Sequence, residues 1–178
     1  MNVRFLASNC KEEVASLFTS VFSSSEGEHE GRLVGYLASA LAARTDNQEV
    51  ISIGAYADGT LIGAIFLTRL QFEEPVEAYM LAPVAISTAH QGRGIGQALI
   101  RFGLDELKRR SATLVVTYGD PAFYAKVGFQ ALSENVIPAP LPLSMPGGWL
   151  GQPLSGEAIP ILKSRPACVQ EFDNPAYW

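Results

Sequence analysis

Three glycines at alternate positions follow an apolar run near the middle of the chain. Gly92, Gly94 and Gly96 stand in the stretch Gln-Gly-Arg-Gly-Ile-Gly-Gln at residues 91–97, shortly after the apolar residues 84–86. Glycines leave backbone N–H groups uncovered, and the first N–H groups of a helix have no partner within the helix. Such a turn from a strand into a helix favours a bound anion, and we expect a phosphate or pyrophosphate there.

The wider pattern excludes two nucleotide-binding signatures. A dinucleotide-binding loop needs a third glycine at the position that Leu99 occupies. A Walker-type phosphate loop ends in Gly-Lys-Ser/Thr, and the sequence contains no such tripeptide. The glycines alone therefore leave two interpretations open, an anion-binding loop and a tight strand-to-helix turn.

A second block, Phe-Tyr-Ala-Lys-Val-Gly-Phe, lies at residues 123–129. Together with the Gln-x-x-Gly-x-Gly that begins at residue 91, it resembles the GNAT acetyltransferases, whose signatures are Arg/Gln-x-x-Gly-x-Gly/Ala and Tyr-x-Lys-x-Gly-Phe. Residues 81–86, Leu-Ala-Pro-Val-Ala-Ile, and 119–121, Gly-Asp-Pro, resemble the YhbS-type branch of that superfamily. The resemblance covers roughly residues 3–132.

The resemblance implies acetyl-CoA as the cosubstrate. Its pyrophosphate would lie on the glycine loop, and the backbone of the preceding strand would hold its pantetheine arm. The cofactor-binding residues are then Val84, Ala85, Ile86, Gln91, Gly92, Arg93, Gly94, Ile95, Gly96 and Gln97. Because Pro83 cannot donate to a strand ladder, we expect the strand to splay from its neighbour there and make room for the arm.

The resemblance also implies a catalytic role for Tyr124, which occupies the family position that protonates the departing CoA thiolate. A phenol with a pKa of about 10 is a fair proton donor to a thiolate. The alternative is a tyrosine that only packs on a short helix. Many members carry Asn seven residues earlier, where this chain has Thr117, so a contact of that Asn with the cofactor arm is not expected here.

The general base is less well defined. Some members use a Glu on the strand before the loop, where this chain has Tyr79; Glu77 lies two residues earlier on the same alternating face. Glu77 is the candidate base and would act through a water; the alternative, which the residue type favours, is a solvated charge at the start of the strand. Residues 26–30, Glu-Gly-Glu-His-Glu, fall where members line the acceptor site, and acidic groups there would attract a cationic amine. The alternative is a solvated start of the second helix.

The predicted function is that of an N-acetyltransferase in which a primary amine attacks acetyl-CoA directly, with a small molecule or a peptide as acceptor. The alternative is a catalytically silent acyl-CoA-binding or sensing module of the same fold. Tyr124 separates the two, because a module does not need a proton donor. A homodimer is left open.

Composition limits the remaining classes. The chain has 178 residues, 13 Lys and Arg against 18 Asp and Glu, and a net charge of −5, which argues against nucleic acid as a partner. The two His and two Cys are widely separated, so no metal site is expected. No apolar run reaches the ~20 residues of a membrane span, and no signal-peptide pattern is present, so we expect a cytoplasmic protein with no membrane partner.

Hydrophobic spacing and turn signals define the elements. Asn9 and Glu12 form a helix-start pattern, and Asp58-Gly59 between two β-rich runs predicts a hairpin. With the resemblance, we predict the α+β GNAT fold: a mixed, mostly antiparallel sheet of about seven strands flanked by about four helices. A single domain would span residues 1–178, with its core at about 3–132. Residues 133–178 would be a loop-rich closing segment, with a last strand at 167–172.

Overall fold

The computed structural model describes residues 1–44 and 46–178. Its strands are β1 (Asn2–Phe5), β2 (Val50–Ala57), β3 (Thr60–Leu70), β4 (Ala78–Ile86), β5 (Leu114–Tyr118), β6 (Gln130–Ala131) and β7 (Trp149–Pro153). Its α-helices are α1 (Lys11–Glu26), α2 (Glu28–Ala42), α3 (Ile95–Arg109) and α4 (Pro121–Ala125). None of the described helices is both long and apolar enough to cross a membrane.

The seven strands form one sheet in the order β1-β2-β3-β4-β5-β7-β6. β4 and β5 run parallel, whereas the pairs β1–β2, β5–β7 and β6–β7 run antiparallel. The predicted fold class, a mixed sheet of seven strands with four helices, is confirmed. The chain divides into two compact units, residues 1–67 with 83–103 and residues 68–82 with 104–178.

In the first unit, α1 and α2 pack closely against each other. Gly35 of α2 faces Thr19 of α1 so closely that a Cβ atom at Gly35 would overlap the threonine hydroxyl. Phe18 of α1 covers Phe66 of β3, with 5.7 Å between the ring centroids. The predicted cap at Asn9 is wrong: α1 begins one residue after Cys10, which makes no side-chain capping bond.

The β2–β3 hairpin of the first unit turns as predicted at Asp58 and Gly59. Their φ angles are 49° and 79°, in the left-handed region that Asp and Gly tolerate best.

The second unit contains the parallel pairing of β4 with β5. The register runs from Ala78↔Leu114 to Leu81↔Thr117, and this last pair lies two residues before Pro83 in the chain. The end of pairing at this point agrees with the splay expected near Pro83.

The C-terminal segment contains one strand that the sequence analysis did not predict. β7 lies within residues 133–178 and pairs with β5 from Leu114↔Pro153 to Tyr118↔Trp149. The expected last strand at 167–172 is wrong. Ala167 makes a single bridge to Gln71, and residues Gln170–Phe172 form a 3-10 helix. Trp178 packs its ring against Trp149 and Tyr118, so aromatic contacts close this unit.

Candidate active site

The glycine loop in the first unit is built around two left-handed residues. Gly92 and Gly94 have φ angles of 74° and 76°, and a Cβ atom at either would meet nothing within 4 Å. The carbonyl of Gly94 accepts the N–H of Ala98 at 3.0 Å, so α3 starts directly after the loop. The N–H groups of the first turn therefore have no acceptor within the helix. This arrangement fits a phosphate or pyrophosphate.

Gln91 closes the loop through its side chain. Its amide Nε2 donates to the carbonyl of Ile86 at 3.0 Å, which ties the end of β4 to the residue before the glycines. Ser87 continues the strand pairing by donating its N–H to Ile62 at 2.8 Å. The His90 N–H donates to the Ser87 carbonyl at 2.8 Å, so His90 belongs to the turn.

The ring of Tyr124 in the second unit is held on three sides. Phe123 and Phe129 contact it edge-on, at centroid distances of 5.0 and 5.6 Å. Gly119 faces it closely, since a Cβ atom at that position would lie 2.8 Å from the Tyr124 Cε2 atom. The side chain of Asp120 caps α4 by accepting the Ala122 N–H at 3.0 Å. Tyr124 is 9% exposed, so packing fixes the direction in which its hydroxyl points.

Burial is the main cause of an unusually high pKa at Tyr124. It raises the pKa of the phenol to about 12, and the charge of Asp120 adds to the rise, while a hydrogen bond with Thr117 opposes it. The phenol is therefore neutral throughout the physiological range. The Thr117 hydroxyl also donates to the carbonyl of Leu81 at 2.6 Å.

Glu77, the predicted base, lies just before β4 in the second unit. Its carboxylate is paired with Arg69, at 3.0 and 3.2 Å from the guanidinium nitrogen Nη2. Its carbonyl accepts the N–H of Thr113 at 2.8 Å. The side chain is half exposed, at 50%. The role of Glu77 stays a prediction, and the ion pair weighs against it because it occupies the carboxylate.

The acidic residues predicted to face the acceptor lie at the junction of α1 and α2. Glu26, Glu28 and His29 are exposed, and Glu30 is half-buried. Gly27 makes the turn between the two helices, with φ of 97°.

A cleft of about 510 Å³ lies elsewhere in the first unit, and sequence analysis did not predict it. One side of α1 lines it with Glu12, Glu13, Ser16, Leu17, Ser20 and Val21, and Thr60, Leu61, Ser87 and Thr88 complete it. Neither the glycine loop nor the α1–α2 junction contributes to the cleft. Within residues 1–44 and 46–178, His, Cys, Asp and Glu side chains form no group of three suited to a metal ion.

Comparison with known proteins places these features in a family. The Acetyltransferase (GNAT) family profile matches residues 11–129. YjhQ, an uncharacterized N-acetyltransferase of Escherichia coli (strain K12), is 26% identical over 145 residues, which cover 75% of this chain and 80% of YjhQ. YhbS of the same strain, also an uncharacterized N-acetyltransferase, is 31% identical over 107 residues, which cover 60% of this chain and 58% of YhbS.

Solved structures show the same fold. Escherichia coli YhbS in complex with CoA has a TM-score of 0.79 at 23% identity, covering 97% of this chain and 92% of that one. A GNAT family acetyltransferase of Brucella melitensis in complex with acetyl-CoA has a TM-score of 0.74 at 24% identity, covering 97% of both chains. The predicted family and enzyme class are thereby confirmed. Since the profile matches more than half of its residues, the chain belongs to the Acetyltransferase (GNAT) family.

Proposed function

We propose that this protein transfers the acetyl group of acetyl-CoA to a primary amine by direct attack of the amine nitrogen on the thioester. The open glycine loop at the start of α3 is the observation that carries the proposal. It offers backbone N–H groups beside free space, which suits the pyrophosphate of CoA. The family uses acetyl-CoA, and the two solved structures named above hold CoA or acetyl-CoA.

Backbone atoms do most of the binding in this proposal. N–H groups of residues 92–97 take the pyrophosphate, and the exposed Arg93 adds positive charge near it. Because Gln91 already occupies the carbonyl of Ile86, the pantetheine arm is assigned to the other backbone groups of residues 84–86. This explains why few side chains in the sequence point to the cosubstrate.

The reaction needs no covalent enzyme intermediate. The amine arrives as an ammonium ion and first loses one proton to free its lone pair. The nitrogen then forms a bond to the carbonyl carbon, the carbon–sulfur bond breaks, and the nitrogen loses a second proton. The products are an amide and, once its sulfur gains a proton, the thiol of CoA. Holding the two reactants together and stabilising the developing charge supply most of the rate in such a reaction.

We assign Tyr124 the role of hydrogen-bond donor to the departing sulfur of CoA. Its pKa of about 12 lies above the ~8.5 of an ordinary thiol, so the phenol keeps its proton next to a thiolate at equilibrium. Its contribution is therefore a strong hydrogen bond to the sulfur as negative charge builds, and water completes the protonation after release. Glu77 remains the proposed base, acting through a water on the attacking amine. The acidic residues at the α1–α2 junction are proposed to attract that amine as a cation.

A thiol-release assay tests the proposal. The protein is mixed with acetyl-CoA and a panel of amines comprising a polyamine, an amino sugar, an amino acid and a peptide with a free N-terminus. At least one amine should raise the rate of CoA release above the rate of hydrolysis. Tight CoA binding by calorimetry with no release on any amine would instead favour the sensing module.

A further inference from the structure

The helix that carries Tyr124 is too short to hold its own position. α4 has five residues, whereas isolated helices below about 12–15 residues are marginal in water. We propose that β7 positions Tyr124 by anchoring α4 at both ends, with Gln152 as the positioning residue at the end of the helix. This inference rests on the proposed function, because it takes Tyr124 as the donor to the departing sulfur.

The order of the strands places β7 between the two ends of α4. The helix connects β5 to β6, but these two strands are not neighbours in the sheet, because β7 lies between them. β7 pairs antiparallel with β5 up to Tyr118↔Trp149 and with β6 at Gln130↔Gly151. The chain therefore enters α4 from one strand that is bonded to β7 and leaves it towards another.

The residues just before β7 hold the start of α4 through Gly119. The Gly119 N–H donates to the Gly148 carbonyl at 3.0 Å. The Tyr118 hydroxyl accepts the N–H of Met145 at 2.6 Å, which ties the segment before β7 to the end of β5. Because Gly119 faces the Tyr124 ring closely, these bonds fix one side of the space that the ring occupies.

Gln152 of β7 holds the end of α4 with its side chain. Its amide Nε2 donates to the Val127 carbonyl at 2.9 Å. The Val127 N–H donates in turn to the Tyr124 carbonyl at 3.1 Å, and the Phe129 N–H donates to the same carbonyl at 3.2 Å. A single residue, Val127, thus links the backbone of Tyr124 to the Gln152 side chain.

The anchors matter because a donor stabilises the departing sulfur only from the right distance. Misplacement by about 1 Å can cost up to 10²-fold in rate, even when it arises away from the reacting atoms. Loss of one anchor leaves the contacts of the Tyr124 ring with its neighbours but lets the short helix shift. β7 should therefore act on the reaction step and not on CoA binding, which the proposed function assigns to the glycine loop.

The sheet offers a matched control for Gln152. Gln130 lies in β6, the strand next to β7, and its side chain is exposed. Replacement of either glutamine by leucine exchanges an amide for an apolar group of similar size in the same sheet. Gln152→Leu removes the bond to Val127, whereas Gln130→Leu changes an exposed side chain.

The first arm of the test measures amide hydrogen exchange by NMR and needs no amine acceptor. The N–H groups of Val127 and Phe129 report on the end of α4, because both bond to the Tyr124 carbonyl. Their exchange should become about fivefold faster in Gln152→Leu, the usual worth of one hydrogen bond, and should not change in Gln130→Leu. Unchanged exchange in Gln152→Leu would overturn the inference whatever the enzyme does.

The second arm measures thiol release with the acceptor found in the amine panel. Gln152→Leu should lower kcat about tenfold, because a displaced donor weakens the reaction step. Its CoA affinity and the KM of the amine should stay within about twofold of wild type, and Gln130→Leu should keep the wild-type kcat. A raised KM with unchanged kcat would make Gln152 a binding residue and overturn the inference.

Tyr118→Phe tests the start of α4, and it replaces Gln152→Leu if that variant does not fold. It keeps the ring and removes the acceptor of the Met145 N–H. Exchange at the Gly119 N–H should become about fivefold faster, and kcat should fall about threefold with CoA affinity unchanged. Tyr36→Phe, at a side chain that is 76% exposed, is the control and should match wild type. Normal exchange and normal kcat in Tyr118→Phe would refute the claim that β7 holds both ends.

A double-mutant cycle separates positioning of the donor from general support of the fold. In the Tyr124→Phe background, Gln152→Leu should cause no further loss of kcat, because the hydroxyl that it positions is already absent. Equal losses in both backgrounds would overturn the inference. A silent Tyr124→Phe would overturn the proposed role of Tyr124 and this inference with it, whereas normal exchange at Val127 in Gln152→Leu overturns the inference alone.

Discussion

The glycine loop and the Tyr124 site differ in that the loop presents open backbone, whereas Tyr124 is an enclosed side chain. At Gly92 and Gly94 a side chain would enter empty space, and the binding groups that we propose there are main-chain N–H groups. At Tyr124 a phenol is enclosed by the contacts of Gly119, Phe123 and Phe129, and burial raises its pKa. The loop should therefore tolerate changes of neighbouring side chains but not an added Cβ branch, whereas the Tyr124 site should respond to small changes in packing.

The largest effect is expected at Gly94. Gly94→Val places a branched side chain in the space assigned to the pyrophosphate, at a φ of 76° that valine avoids. Loss of two charge-assisted bonds of ~1.5–3 kcal/mol each weakens CoA binding by roughly 10²–10⁴. Calorimetry with CoA measures it.

Gly59→Val is the matched control for this change. Gly59 has a φ of 79° and equally open surroundings in the β2–β3 turn of the same unit, so the backbone strain is alike. CoA affinity should stay at the wild-type value in Gly59→Val. Equal weakening in both variants would mean that strain, and not the pyrophosphate site, explains the loss.

Removal of the phenol hydroxyl is expected to act on rate and not on binding. Tyr124→Phe keeps the ring and its contacts, so CoA affinity should be unchanged. The value of kcat should fall by about 10², which is the usual cost of removing one hydrogen-bond donor from a group that gains negative charge in the reaction. Steady-state rates of thiol release check this, and equal kcat for both proteins across the pH range would sink the assignment.

The pKa of Tyr124 also predicts a loss of stability in alkali. The phenol has a pKa of about 10 in the unfolded chain and about 12 in the folded protein, so the folded state binds the proton more tightly. Its contribution is complete below pH ~10 and is lost as the pH rises towards ~12. Two pKa units correspond to ~2.7 kcal/mol, so between pH ~9 and ~12 wild type should lose about that much more free energy of unfolding than Tyr124→Phe. Urea unfolding at stepped pH measures the difference, and parallel curves for the two proteins would refute it.

Adding a methyl group at Gly119 tests whether close packing sets the position of the Tyr124 ring. The new Cβ in Gly119→Ala would lie 2.8 Å from the Tyr124 ring, so the ring must shift. Displacement of the donor should lower kcat about tenfold with CoA affinity unchanged. Gly147→Ala is the control, because a Cβ atom there meets nothing within 4 Å, and it should behave as wild type. A normal rate in Gly119→Ala would show that the ring position matters less than we propose.

The smallest effect is expected at Arg93. This side chain is exposed, so Arg93→Ala should weaken CoA binding only about threefold, and less at high salt. Calorimetry at two salt concentrations tests the prediction. If Arg93→Ala lost as much CoA affinity as Gly94→Val, the arginine side chain and not the backbone would provide most of the binding.

The sequence predicted those parts in which local chemistry decides the structure. Asp58-Gly59 formed the expected hairpin because the two residues tolerate positive φ. The loop at residues 91–94 formed before α3 because glycines permit its backbone angles. Pro83 marked the end of the β4–β5 pairing for an equally local reason, since it lacks an N–H group.

Non-local contacts decided the parts that sequence analysis missed. β7, Trp-Leu-Gly-Gln-Pro, contains glycine and proline, and it forms a strand because β5 and β6 both pair with it. The enclosure of the Tyr124 ring likewise depends on the close approach of Gly119 and Phe129 to α4. Asn9 failed as a cap although its type favoured the role, because α1 begins at Lys11 and leaves Cys10 at the cap position.

The central claim is that backbone N–H groups of the glycine loop hold CoA. The most direct measurement is a titration of nitrogen-15-labelled protein with CoA, which reports each backbone N–H separately. The account predicts that the largest shifts fall on the N–H groups of residues 92–97, and that these shifts vanish in Gly94→Val. Shifts centred on the cleft along α1, with the loop unchanged, would contradict it.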